Sequence, residues 1–376
     1  MLLKGGKVLL DTFEFEEKNV LVRDGRIAEV TDDISISEEV LDCTDCYIVP
    51  GLVDVHTHGC LGYDYTDAGE SEIAKMADYQ LSRGVTSFLP TLVTSSYETY
   101  ITAAKKLKNA YDSGSGTKIL GIHLEGPYYS PRFKGAQNEK YIRNPSVSEF
   151  DKINSASGGL VRLISLAPER ENACEFIKAV CGKARVALGH TGADYLQASE
   201  AFDAGATQLT HTFNAMPPLH HRNTGVLGAA FERRCVLCEC ICDGFHLHPS
   251  AVRLLFSAVG ADRVVLVTDS ISAAGLSDGD FTLGGLSVNV SGGRAYLSDK
   301  KTIAGSTAKL IDCVRNAIAF GIPAEDAFRA ATINAAISAG ADGEIGSITV
   351  GKCADILVLD KDYNIKKVII NGKCVK

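Results

Sequence analysis

The stretch GLVDVHTHGC, residues 51–60, is an apolar run that stops on two histidines one residue apart. Side chains two apart in an extended strand point to the same face, so His56 and His58 present paired imidazoles where the run ends. Seven more compact apolar runs are GVTSFLPTLV (84–93), KILGIHLEG (118–126), VRLISLAPE (161–169), RVALGHT (185–191), TQLTHTFN (207–214), VLCECICDGFH (236–246) and RVVLVTDS (263–270). Most are separated by segments with helical spacing, such as SEIAKMADYQLSRG (71–84) and YETYITAAKKLKNAYDSG (97–114). The first of these predicts a helix that starts at Ser71, has Glu72 in its first turn and ends at Gly84. Short continuous apolar runs alternating with amphipathic helices indicate buried parallel strands with crossover helices. Eight such units predict an α/β fold, a TIM-like (β/α)8 barrel. A doubly wound open sheet is the rival, but it seldom needs eight comparable strands.

The two ends of the chain read differently. Asp24-Gly25 and Asn371-Gly372 each sit between apolar-rich arms, the strongest short-range hairpin signal. Chain termini often lie close together. Residues 1–49 and 345–376 are therefore expected to build one small β-sandwich domain, and residues 50–344 the barrel.

Composition narrows the function. The 376 residues are 45% hydrophobic and 22% charged, ordinary globular values, with a net charge of −8. That balance argues against nucleic acid as a partner, which calls for a basic face; KKLK (105–108) reads as the wet side of a helix. The first residues lack the apolar core of a secretory signal, and no apolar stretch approaches the ~18 residues needed to span a bilayer. A soluble, cytoplasmic protein is expected. Twelve cysteines fit a reducing compartment. Cys43 and Cys46, and Cys235 and Cys238, match C-x-x-C, but neither pair sits in a polar knuckle. The alternation of Cys235, Cys238, Cys240 and Cys242 suggests a buried strand using cysteine as a small apolar residue.

Polar residues fall at the strand ends. His56, His58, Glu125, His190, His211, His246 and Asp269 lie at or just after the C-terminal ends of the apolar runs, which in a closed barrel converge on one mouth. Glu125, His190 and His211 form a carboxylate-plus-two-imidazole set suited to a divalent transition metal. His56, His58 and Asp269 either complete a second metal position bridged by Glu125 or surround the same ion. Asp269 is the expected general base for a metal-activated water and then the general acid for the leaving amine. The bland alternative is a helix N-cap at Asp269 or Ser270.

An H-x-H after a first strand, followed by His, His and Asp on later strands, resembles the amidohydrolase superfamily. PGLVDVHTHG, GIHLEGPY, GHTGA, HTFNAMPPLHHR, DGFHLHP, VTDSISAAG and IAGST, in that order between Pro50 and Ser306, resemble its N-acetylglucosamine-6-phosphate deacetylases, and GSITVGKCADILVLD extends the likeness. The resemblance implies metal-dependent hydrolysis of N-acetylglucosamine 6-phosphate to glucosamine 6-phosphate and acetate. It gives Glu125, His190 and His211 as metal ligands and Asp269 as the catalytic acid/base. Asn214, Ala215 and His246 become substrate contacts, as do Ala136 and Gln137, and Ile303, Ala304 and Gly305 line the sugar. Arg222 becomes the partner of the sugar phosphate, in its own subunit or the neighbouring one of an implied homodimer. The cofactor is one or two divalent ions, zinc or iron, with manganese and cobalt as alternatives.

Two departures stand out. Gln137 replaces a histidine common in the family, and Asn223-Thr224 follows Arg222 where Glu-Pro is usual. The enzyme alternative is a superfamily relative acting on another small amide or N-acetylated sugar. The non-enzyme alternative is a barrel scaffold, which the full set of candidate ligands disfavours.

Overall fold

The computed structural model describes residues 1–32, 39–114 and 116–375. All eight apolar runs become strands: β1 (Leu52–Thr57), β2 (Val85–Val93), β3 (Ile122–Glu125), β4 (Val161–Leu166), β5 (Arg185–Leu188), β6 (Gln208–Leu209), β7 (Leu237–Ile241) and β8 (Val264–Val267). Each pairs in parallel with its predecessor. The ring meets where Asp269 N donates to His56 O (2.9 Å) and Thr268 Oγ1 donates to Asp54 Oδ2 (2.6 Å). A helix follows every strand: α1 (Glu70–Ser82), α2 (Tyr97–Ser113), α3 (Val147–Ala156), α4 (Ala173–Val180), α5 (Tyr195–Asp203), α6 (Gly225–Phe231), α7 (Pro249–Val259) and α8 (Leu310–Ala319). Two more, α9 (Ala324–Ala331) and α10 (Ile333–Ser338), complete the set among the described residues.

The strands are buried on both faces, which is why they read as continuous apolar runs. Val53, Val55, Leu163, Val265 and Val267 fill the barrel interior together with Ala335 and Ala336 of α10, while Leu52, Ile164, Val264 and Leu266 pack with the helices. Helix α10 closes the floor: Asn334 Nδ2 donates to Ala261 O and Val264 O, both at 2.7 Å.

Helix α1 begins one residue before the predicted start. Its N-cap is Gly69, where Glu72 accepts from Gly69 N and supplies the carboxylate half of a capping box. Cys238, Cys240 and Cys242 are buried as expected, but Cys235 is exposed, since it precedes β7. The run 236–246 also hides more than packing, because Glu239 lies fully buried within it. No disulfide joins the cysteines of the described residues.

Both chain ends enter one eight-stranded sheet. Its hairpins turn at Asp24-Gly25 and Asn371-Gly372, all four residues at positive φ, as type I′ turns require. Alternation along its strands gives it two apolar faces. Leu9, Val49, Leu357 and Leu359 join the core shared with the barrel helices; Val8, Ile48, Ile356 and Val358 form a core of their own. The chain passes from this sheet to the barrel at Gly51, where a Cβ would stand 2.1 Å from Thr86 Oγ1. Only glycine lets the two units approach so closely.

One element was not anticipated from sequence. Gly279–Leu283, Leu286–Ser291 and Arg294–Leu297 form a three-stranded antiparallel sheet between β8 and α8. It turns at Gly284-Gly285 and Gly292-Gly293, again at positive φ, and it carries the loop through 301–305 to the barrel mouth. No helix of the described residues is long and apolar enough to cross a membrane.

Candidate metal centre

Glu125, the last residue of β3, lies at the middle of the mouth. Its Oε1 is 3.1 Å from His190 Nε2, 3.3 Å from His211 Nε2 and 3.6 Å from His56 Nε2. Its Oε2 is 3.3 Å from His58 Nε2 and accepts from the Gln137 amide. Two donor groups result, His56–His58–Glu125 and Glu125–His190–His211, and they share the one carboxylate. Asp269 Oδ1 is 3.4 Å from His56 Nε2 and 3.2 Å from His58 Nε2. The five residues of the donor groups are each at most 5% exposed, so side chains up to 155 positions apart in sequence share one dry site.

The backbone is bent to achieve this. His190, His211 and Asp269 each lie two residues beyond a strand and adopt positive φ (46°, 28° and 48°). For non-glycine residues this costs about 1–3 kcal/mol each, and such strain gathers at functional sites. Neighbours hold the bends: Ser130 N donates to His190 O (3.0 Å), Asn214 N to His211 O (2.9 Å) and Ser306 N to Asp269 O (2.7 Å). Gly305 is required beside Asp269. At φ 62°, a Cβ there would lie 2.5 Å from Ile271 Cγ2 and 2.8 Å from Asp269 O.

The electrostatics call for a cation. Burial alone would raise the Glu125 carboxyl, yet hydrogen bonds from His190, His211 and His58 hold it well below its usual range. Asp269 is likewise pushed up by burial and held down by His56 and His58, so it stands ionised. Burial would lower His56, but Asp269, Glu239 and Glu125 raise it to about 9. Imidazoles driven to bind protons in a dry pocket mark a field that a divalent ion satisfies equally well. His190 Nε2 and His211 Nε2 face each other at 3.0 Å, and His56 Nε2 is buried with no hydrogen-bond partner among the described residues. Lone pairs so disposed fit a shared cation, and one carboxylate with imidazoles suits a divalent transition metal.

A cavity of about 300 Å³ opens over these groups. Of the residues expected around the sugar, Ala136, Gln137, Asn214, Ala215, His246, Ile303 and Gly305 line it. Ala304 is fully buried behind the wall, its N bonded to Ala295 O at 3.0 Å. Arg222 lies outside the lining, on an exposed loop with Nη1 2.8 Å from His221 Nε2. Gln137 is committed at both ends of its amide, donating to Glu125 and accepting from Thr94 N (3.0 Å). His246 Nδ1 is 2.8 Å from Asp243 Oδ2. Burial would raise Asp243, but His246 pulls it down. Leu283, Lys301 and Thr302 also line the cavity. Sequence reasoning missed them with the inserted sheet, although its two Gly-Gly pairs were a usable signal.

The sequence model of the amidohydrolase family matches residues 47–375. An N-acetylglucosamine-6-phosphate deacetylase of Bacillus subtilis is 37% identical over 99% of this chain and 96% of its own length. An N-acetylgalactosamine-6-phosphate deacetylase of Escherichia coli O157:H7 is 34% identical over 99% of this chain and 98% of its own. Among solved structures, an N-acetyl-D-glucosamine-6-phosphate deacetylase variant from Mycobacterium smegmatis, in complex with N-acetyl-D-glucosamine-6-phosphate, superposes with a TM-score of 0.95. It is 33% identical and covers 100% of this chain and 99% of that one. The chain thus belongs to the amidohydrolase family, beside that family's N-acetylglucosamine-6-phosphate deacetylases.

Proposed function

We propose that this chain hydrolyses N-acetyl-D-glucosamine 6-phosphate to D-glucosamine 6-phosphate and acetate. The observation that carries the reading is Glu125 shared by two histidine pairs, beside ionised Asp269, at a cavity sized for a single sugar. His56, His58, Glu125, His190 and His211 would hold one or two divalent ions, which would supply Lewis-acid polarisation of the amide carbonyl and make water easier to deprotonate. Asp269 takes the proton of the attacking water. It then delivers that proton to the amine nitrogen as the C–N bond breaks. His246, steadied through Nδ1 by Asp243, hydrogen-bonds the substrate, while Asn214, Ala215, Ala136, Gln137 and the Ile303–Ala304–Gly305 loop shape the sugar site. The assay is acetate release from the two epimeric N-acetylhexosamine 6-phosphates. A higher kcat/KM on the gluco epimer supports the reading. Preference for the galacto epimer supports the second reading that the E. coli relative suggests, and activity on neither removes both.

The finer assignments belong to the same proposal. Zinc or iron suits the donor set, with manganese and cobalt as alternatives. Arg222 pairs bidentately with the sugar phosphate. Its place outside its own chain's cavity favours a homodimer in which the neighbouring copy supplies it. Arg222→Ala is expected to raise KM for the phosphorylated sugar at least about tenfold, the loss of one charge-assisted hydrogen bond, while the unphosphorylated sugar is little affected. Equal losses on both would count against this role. Cysteines without disulfides among the described residues favour the cytoplasm. Residues 1–49 with 345–376, and 50–344, are taken as the two domains, consistent with the shared end sheet.

A further inference from the structure

A buried carboxylate that the reaction does not use lies directly beneath the metal centre. Glu239, in the middle of β7, is fully buried, and two N–H donors and a ring nitrogen of His56 approach its oxygens. Oε1 accepts from Gln208 Nε2 at 2.7 Å, and Gln208 Oε1 in turn accepts from Ser338 Oγ of α10 at 2.7 Å. Oε2 accepts from His211 N at 3.0 Å and lies 2.9 Å from His56 Nδ1.

A neutral imidazole carries one proton, and a ligating one must keep the lone pair on the nitrogen facing the ion. An acceptor at Nδ1 settles that choice for His56. The proton goes to the Glu239 side, and the lone pair stays on Nε2, which points toward Glu125 and Asp269 and has no hydrogen-bond partner among the described residues. The other three rings are served differently. His190 Nδ1 meets the Phe133 carbonyl at 3.0 Å, and the Nδ1 atoms of His58 and His211 have no partner among the described residues. Among the described residues, His56 alone of the four imidazoles is backed by a carboxylate. Such backing fixes the ring and makes it a more basic ligand.

We propose that Glu239 is a positioning residue that acts through His56 to secure the cation at the His56–His58–Glu125 position, with Gln208 and Ser338 fixing Glu239. The inference rests on the metal reading above and deepens it.

The test is metal binding rather than turnover. Apo protein is titrated with Zn²⁺ against a competing chelator for wild type, Glu239→Gln, His56→Ala and the double variant. Two cations per wild-type chain are expected. In Glu239→Gln the His56–His58–Glu125 site should lose about 10–100-fold in affinity, while the Glu125–His190–His211 site is retained. In the His56→Ala background the same change should alter affinity no further, which a merely structural role would not reproduce. Should Glu239→Gln fail to fold, Gln208→Leu keeps the carboxylate but removes the donor that orients it, and should weaken the same site by a smaller factor. An unchanged second site in whichever of these variants folds overturns the proposal. So does a wild type that holds one cation at saturation, although that result leaves the Glu125–His190–His211 reading standing. A wild type that binds no cation overturns both.

Discussion

Asp269→Asn is expected to lower kcat by about 10²–10⁴-fold with metal content and KM near those of the wild type. The amide has the shape of the carboxylate but cannot receive a proton, so the attacking water and the departing amine both lose their partner. The geometry makes the loss severe. Asp269 is held in place by its N–H bond to His56 O at 2.9 Å and by Ser306 N donating to its O at 2.7 Å, with Gly305 pressed against its carbonyl. Metal analysis with steady-state kinetics checks this. If Asp269 served chiefly as a ligand, metal content would fall along with kcat. Near-normal turnover would end its role as acid/base.

Glu125→Gln is expected to act more broadly. Glu125 Oε1 approaches three imidazoles and Oε2 a fourth. Removing its charge therefore weakens both donor groups together, whereas His56→Ala touches only one. The amide would also turn a donor toward nitrogens whose lone pairs a cation needs. Affinity at both positions should fall by more than the roughly 10–100-fold that follows loss of an outer partner, and acetate release should drop to background. Folding itself should survive, because the buried imidazoles that lose their carboxylate partner can give up their protons rather than stay charged. Competition titration and circular dichroism together separate metal loss from unfolding. Retention of full metal content by a folded Glu125→Gln protein would contradict the shared-carboxylate arrangement.

The barrel was legible because each parallel strand is buried on both faces, and an apolar run ending abruptly in His, Glu or Asp marks where it leaves the core. That signal located Glu125, His190, His211 and Asp269 without any contact information. Glu239 escaped it for a physical reason. It sits inside a run of buried cysteines, where a carboxylate is tolerable only because His56, Gln208 and the His211 backbone come to meet it. Those partners are distant in sequence, so only the folded chain reveals why the charge is there. Arg222 is the opposite case. Its loop carries no periodicity or core contact, and resemblance alone pointed to it. The inserted sheet between β8 and α8 did leave a trace, its paired glycines, but three short strands with half-exposed faces carry little apolar pattern.

Titrating the apo protein with a divalent metal while following acetate release from N-acetyl-D-glucosamine 6-phosphate probes the convergence at the mouth most directly. Release should be absent without metal, rise in proportion to occupancy, and yield acetate and free amine in equal amounts. A fully metallated protein that releases no acetate, or an apo protein that releases it undiminished, would contradict the account.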